Sequence, residues 1–274
     1  MFIRSFVIIL LILGSGLTLV NFYGLTQNLR PDNIAIENLR FGDIDVSLNK
    51  EELLQSSKML PNENPIDYSK RLTTVIANGI AHIHWERYDS SKFNQLVPIW
   101  ENWALYAMGK FSGIPEYKRY HYSNPQKSME RGIGICGDAS MIMSQVLKNS
   151  GIESKIISFP GHVMVAANIQ NQSFVFDPDF GVVLESSLEE LNKNPELVDG
   201  AYSAVGHPAS DDSFFTRMFK EEYQVWDGVD HFISKKYYFE KLAYAIKWPI
   251  PIAMIVIAIW IIVRNSSFRK TKTN

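Results

Sequence analysis

The chain has 274 residues, a formal net charge of −2 and a single cysteine. A near-neutral balance with no basic stripe mid-chain argues against nucleic-acid binding, and one thiol excludes an internal disulfide framework. The length suits one sizeable domain with its own core, plus appendages.

Residues 5–20 are an apolar run behind Arg4 that, extended to Leu25, is long enough to cross a bilayer. A cleaved signal peptide competes with an anchor here. No small-x-small cleavage site follows the run cleanly, so an uncleaved anchor over residues 1–25 is expected. From residue 26 the chain turns polar, with a short strand expected at 43–46 and Asn49 placed to cap a short helix. Pro61 and Pro65 punctuate the chain, and residues 68–84 predict an amphipathic helix with Leu72, Val75, Ile76, Ile80 and Ile83 on one face. On such a helix His82 and His84 point in different directions, so both are assigned to structure rather than to a metal. A further helix, dominated by Trp100, Trp103 and Leu105, is expected over residues 98–111.

The richest stretch runs from Gly132 to Asp179. Beyond Cys136, the residues Ala139, Met143, Val146 and Leu147 recur at helical spacing, and Gly151 is a C-terminal stop. Cys136 is therefore expected at a helix start, where unpaired N–H groups and the positive dipole end favour a thiolate and can also receive a developing oxyanion. Asp138 is placed to cap that helix. Residues 155–159, 162–169 and 173–177 read as three strands rich in Val, Ile and Phe. In an antiparallel hairpin closed by an even-numbered turn, even-numbered residues face odd-numbered ones, so His162 and Asp177 share one face. A turn centred on Ile169 and Gln170 sets them directly opposite; one centred on Asn171 and Gln172 leaves them offset by about four residues. The pattern does not choose between the two. A thiol, a base and a group to orient the base thus occur in the order Cys136, His162, Asp177, as nucleophilic catalysis requires.

Further on, residues 188–198, a segment opened by Asp211 and Asp212, and residues 231–247 read as helices. Residues 248–263 are again apolar, about sixteen in number, and reach membrane length if the span begins at Tyr244 and Lys247 snorkels to the interface. Arg264, Arg269, Lys270 and Lys272 follow with no acid among them. Basic flanks at both ends place both termini in the cytoplasm and the intervening domain outside it. A lone thiol in an oxidising compartment is a liability unless it is used or buried. There is no internal repeat, phosphate-binding glycine loop or metal-ligand spacing, so neither a metal nor another cofactor is expected.

The run from Gly132 to Ala139, Gly151-Ile152, Gly161-His162-Val163 and Phe176-Asp177-Pro178 resemble the transglutaminase-like core of the papain-like superfamily, across residues 120–185. Residues 97–103 and 179–182 look like membrane-attached bacterial members of that group. The resemblance implies Cys136 as nucleophile, His162 as base and Asp177 as orienting acid, with Trp100 or the Asn102 amide as an oxyanion donor. Many members carry Ala-Trp after the histidine where this chain has Val163-Met164, a departure that bears on substrate class.

The expected fold is α+β: a helical layer, a helix headed by Cys136 and a small antiparallel sheet, held between two transmembrane helices. The expected divisions are an anchor at 1–25, a helical region at 26–115, the core with membrane-proximal helices at 116–245, a second span at 246–264 and a basic cytoplasmic tail at 265–274. The expected function is acyl transfer at an amide of a peptide or protein in the bacterial envelope, by hydrolysis or transamidation. A catalytically silent domain that holds an envelope-assembly partner is the alternative.

Overall fold

The computed structural model describes residues 2–32, 34–42 and 46–270. Most of the strand expected at 43–46 and the end of the basic tail lie outside the described residues. The chain divides into two compact units, one of Met1–Leu29, Asn94–Tyr120 and Phe239–Asn274, the other of Arg30–Phe93 and His121–Tyr238.

The first unit contains α1 (Phe2–Gly24), α4 (Trp103–Phe111), α5 (Pro115–Lys118), most of α11 (Ser234–Ile246) and α12 (Pro249–Lys270). The stretch Ile3–Gly24 is by itself long and apolar enough to cross a membrane. The expected second span is corrected. The apolar segment is not one helix with Tyr244–Ile246 but meets the requirement only as the pair α11 and α12, bent by 40°. The cause is Pro249 and Pro251, which offer no N–H, so the carbonyls four residues earlier lose their helical partners. The freed Lys247 carbonyl instead accepts from Asn21 Nδ2 at 2.8 Å and from Trp103 Nε1 at 3.1 Å. Gly14 lets α1 and α12 approach closely, since a Cβ there would lie 2.8 Å from the Pro251 carbonyl oxygen.

The second unit opens with α2 (Lys50–Ser56), capped by Asn49 as expected, and α3 (Pro65–Gly79). The latter ends five residues short of His84. The Asn78 carbonyl accepts from the N–H groups of Ser47 and Leu48 instead of continuing the helix, Gly79 follows, and β-branched Ile80 and Ile83 favour extended chain. That extension is β1 (Ala81–His82), which pairs in parallel with β2 (Ile133–Gly134) beyond α6 (Pro125–Arg131). His82 is therefore on a strand beside Gly134, not on a helix.

Next comes α7 (Cys136–Asn149), followed by β3 (Lys155–Phe159), β4 (His162–Ile169), β5 (Gln172–Asp177) and β6 (Val182–Leu184). The unit finishes with α8 (Leu188–Lys193), α9 (Ala209–Met218), β7 (Gln224–Trp226) and α10 (Val229–Phe232). The sheet order is β6-β5-β4-β3-β7, antiparallel throughout. One face of it, with Val165, Ala167, Phe174 and Phe176, packs on Ala139, Ile142, Met143 and Leu147 of α7 and on Leu72 and Ile76 of α3. The other, with Ile157, Met164 and Val175, packs on Leu191, Phe215 and Phe219. The unit is α+β, as expected, with the Cys136 helix against an antiparallel sheet. The edge strands β6 and β7 are only three residues each, too short to show an alternating pattern.

The entry into α7 is pinned by a buried charge cluster. Asp138 accepts from the Ile135 N–H at 3.1 Å, meets His121 Nδ1 at 2.7 Å through the same oxygen, and takes Arg131 Nη2 on the other at 3.4 Å. Asp138 and Arg131 are both fully buried, and the guanidinium lies over the rings of Trp85 and Tyr122. Burial by itself would raise the Asp138 pKa, but His121, Arg131 and the Ile135 N–H together hold it below the ordinary value. Gly134 admits this carboxylate, since a Cβ there would come within 2.7 Å of the Asp138 Cβ. Replacing Asp138 with Ala removes the carboxylate that faces a buried guanidinium and is expected to cost about 3–5 kcal/mol, measured by denaturant unfolding. Because the folded pKa is depressed, the charge-dependent part of this stabilisation is present above the unfolded value of about 3.9 and is lost as pH falls through the folded one. A loss below about 1 kcal/mol would mean that the cluster does not hold the helix start.

Candidate active site

Cys136 is the first residue of α7, delivered there by β2. The hydroxyl of Ser140, one turn along, donates to the Val163 carbonyl at 2.9 Å and ties α7 to β4 one residue past His162. This brings the Cys136 thiol close to the His162 imidazole. Cys136 Sγ, a His162 ring nitrogen and an Asp179 carboxylate oxygen all lie within 4.8 Å of one another. His162 Nε2 in turn meets Asp177 Oδ2 at 2.8 Å, which leaves Nδ1 for the sulfur side. Cys136 is 8% exposed, His162 3% and Asp177 1%.

The hairpin takes neither of the two expected registers. Gln170 and Asn171 form the turn, both at positive φ (53° and 64°), the pattern of a two-residue primed turn. Ile169 then pairs with Gln172 and Val165 with Phe176, so Asp177 lies level with Met164 and reaches His162 diagonally. The shared face holds, as parity requires.

Asp177 is fully engaged. Its Oδ2 also accepts from the Tyr202 hydroxyl at 2.9 Å, and Oδ1 accepts from the N–H groups of Asp179 and Phe180 at 3.1 and 3.3 Å. Tyr202 is fully buried, stacked on Phe215 with ring centroids 3.9 Å apart. Burial, followed by the Asp177 charge that it bonds, pushes its hydroxyl pKa well above the ordinary value, so it remains a donor. Burial alone would lower the His162 pKa. The Asp177 carboxylate, by charge and by hydrogen bond, and the Cys136 sulfur outweigh it and hold that pKa well above its ordinary value.

Three residues here, Asp179, His82 and Tyr202, are not assigned to the site by the sequence reading. Asp179 is buried next to the thiol and the imidazole, with His82 Nε2 2.8 Å from its Oδ1 and Arg40 Nη1 4.0 Å from its Oδ2. Burial would raise the Asp179 pKa; His82, His162 and Arg40 hold it low. The repeated acid in Asp177-Pro178-Asp179 was the available signal for it, whereas His82 and Tyr202 reach the site only through the tertiary fold. Where the sequence showed no metal-ligand spacing, the fold brings together, among the described residues, one group that could hold a cation: Cys136, His162 and Asp179.

Trp100 and Asn102 belong to the other unit. Asn102 is fully buried there, and its Oδ1 accepts from the N–H groups of Ala104 and Leu105, capping α4. The Trp100 carbonyl lies against Gly24, where an added Cβ would meet its oxygen at 2.1 Å.

Comparison with curated proteins and with solved structures found no match. A family model described as a transglutaminase-like domain matches residues 65–190. The stretch from α3 into α8, which supplies the thiol, the imidazole and both carboxylates, is the part of the chain that is similar to a transglutaminase-like domain.

Proposed function

We propose that the chain is a thiol-dependent acyl transferase or hydrolase of amide bonds, with Cys136 as nucleophile, His162 as acid and base, and Asp177 as the group that orients and charges the imidazole. The observation that carries this reading is the buried arrangement of Cys136 within 4.8 Å of the His162 imidazole, and of His162 on Asp177, whose carboxylate is itself held by Tyr202 and two backbone N–H groups.

In the proposed reaction the Cys136 thiolate attacks the amide carbonyl carbon, and the carbonyl oxygen takes the displaced electron pair. The N–H groups of the first turn of α7 are the proposed donors to that oxyanion. Collapse breaks the C–N bond as His162 passes its proton to the leaving amine. Water, or a second amine, then adds to the thioester while His162 takes its proton, and the C–S bond breaks to restore the thiolate beside the imidazolium. Water gives a peptidase or amidase, an amine a transamidase.

The proposed setting is the bacterial inner membrane, with α1 and the α11–α12 pair as spans, both termini cytoplasmic and the domain facing peptide or protein amides of the envelope. Its support is the apolar helix Ile3–Gly24, the basic residues outside both apolar segments and the resemblance to membrane-attached members. Burial of both Cys136 and His162 favours the second reading, a silent domain that holds an envelope-assembly partner.

Alkylation of the full chain in membranes separates these readings. Iodoacetamide is expected to label Cys136 at pH 7 about tenfold faster than a free cysteine, and His162→Ala to abolish the excess. Equal rates in both proteins would support the silent domain.

The elevated His162 pKa has a pH signature. Its contribution to stability is fully present below the unfolded value of about 6.5 and is lost as pH rises through the folded value. The ratio of iodoacetate to iodoacetamide rates, which reports a cation beside the sulfur, should therefore stay high above pH 6.5 and fall only where His162 loses its proton. Asp177→Asn removes the main cause that raises this pKa and leaves burial, so the fall should move to lower pH. An unmoved profile would remove Asp177 from the site.

Tyr202→Phe deletes one hydrogen bond to a buried carboxylate and is expected to cost about 1.5–3 kcal/mol of stability, with a smaller shift of the same profile than Asp177→Asn produces. A profile identical to that of the wild type would make Tyr202 a packing residue only.

A further inference from the structure

We propose that Cys136, His162 and Asp179 form a binding site for a thiophilic divalent cation of the Zn2+ type, and that its occupation switches the thiol off. Their ligand atoms lie within 4.8 Å of one another, whereas the ligands of a tetrahedral zinc with bonds of about 2.0–2.3 Å stand about 3.5 Å apart. The three side chains must draw together for a cation to bind. Sulfur, imidazole nitrogen and carboxylate oxygen are the donor types that zinc takes, and three protein ligands leave a fourth position for water.

Asp179 is the residue that points to a ligand. It is 1% exposed, and the acyl-transfer chemistry proposed above gives it no task. His82 Nε2 stands 2.8 Å from Oδ1 as an ion-pair partner, Oδ2 faces Arg40 only at 4.0 Å, and neither oxygen has a hydrogen-bond partner among the described residues. The Arg40 side chain is 45% exposed and can turn outward to solvent. Around a cation, Asp177 and His82 act as outer partners. Asp177 accepts the Nε2–H of His162 and fixes the ring with Nδ1 toward the metal, and His82 holds the Asp179 carboxylate, an arrangement typical of histidine and carboxylate ligands. Binding forms bonds from the Cys136 sulfur and His162 Nδ1 to the metal and releases to solvent the Nδ1 proton of the thiolate–imidazolium pair, while the Nε2–H stays on Asp177. The lone pair that would attack a carbonyl is then committed.

The site does not depend on the acyl-transfer reading, because metal binding is read without turnover. Metal-free full-length protein in detergent is titrated with Co2+ and then Zn2+. One Co2+ per chain with a thiolate-to-cobalt absorption band is expected, displaced by one equivalent of Zn2+. Zn2+ should slow iodoacetamide labelling of Cys136 at least tenfold, reversibly by chelator, and alkylated wild type should lose the band. Asp179→Asn should weaken Zn2+ binding at least tenfold. Absence of the band, unprotected labelling, or wild-type affinity in Asp179→Asn overturns the proposal. If that variant does not fold, zinc X-ray absorption on the wild type decides: one sulfur with nitrogen and oxygen neighbours supports the site, and a sulfur-free shell overturns it. An unreactive thiol that still binds zinc would sink the enzyme reading and leave this one standing.

Discussion

The contact between the His162 imidazole and the Asp177 carboxylate, 2.8 Å long and almost wholly out of water, is the interaction on which the arrangement of the second unit depends. Moving an imidazolium into a protein interior costs several kcal/mol unless a counter-charge and hydrogen bonds are already in place. Asp177 supplies the counter-charge, and Tyr202 with the N–H groups of Asp179 and Phe180 keeps that carboxylate from needing water. Each of these donors comes from a different local requirement. Tyr202 is positioned by stacking on Phe215, and the two N–H groups are aimed by the turn that closes with the Gly181 N–H on the Asp177 carbonyl, Gly181 itself sitting at positive φ.

The sulfur side is organised by the same logic. Asp138 and Asp179 are both buried carboxylates held below their ordinary pKa, the first by His121 and Arg131, the second by His82, His162 and Arg40. Asp138 fixes where α7 begins, and so where the thiol stands. Asp179 brings a further negative charge beside the thiol. That arrangement is poorly suited to stabilising an oxyanion at that spot but well suited to a cation, which is why the two carboxylates of Asp177-Pro178-Asp179 separate into different roles.

Local pattern carried much of the site into view. The helix start at Cys136, the three central strands and the shared face of His162 and Asp177 follow from periodicity and parity, properties that neighbouring residues encode. The hairpin register did not, because it turns on Gln170 and Asn171 both adopting left-handed backbone, a conformation for which glutamine carries no strong signal. His82 was misplaced for a related reason. The apolar spacing of residues 68–84 continues past Gly79, but the backbone leaves the helix to serve Ser47, Leu48 and β2, partners far away in sequence. The bend between α11 and α12 was missed although Pro249 and Pro251 stand in the segment. Hydropathy alone conceals it because proline hardly changes the apolar average.

The central claim is that Asp177 holds a buried His162 as imidazolium against the burial that would discharge it. The most direct measurement is a pH titration of the histidine ring resonances in the nitrogen-labelled full-length protein, with His162 assigned by substitution. The account predicts that His162 keeps both ring protons well above pH 6.5 and that Asp177→Asn brings its titration down. A His162 that loses its proton at or below pH 6.5 in the wild type would contradict it.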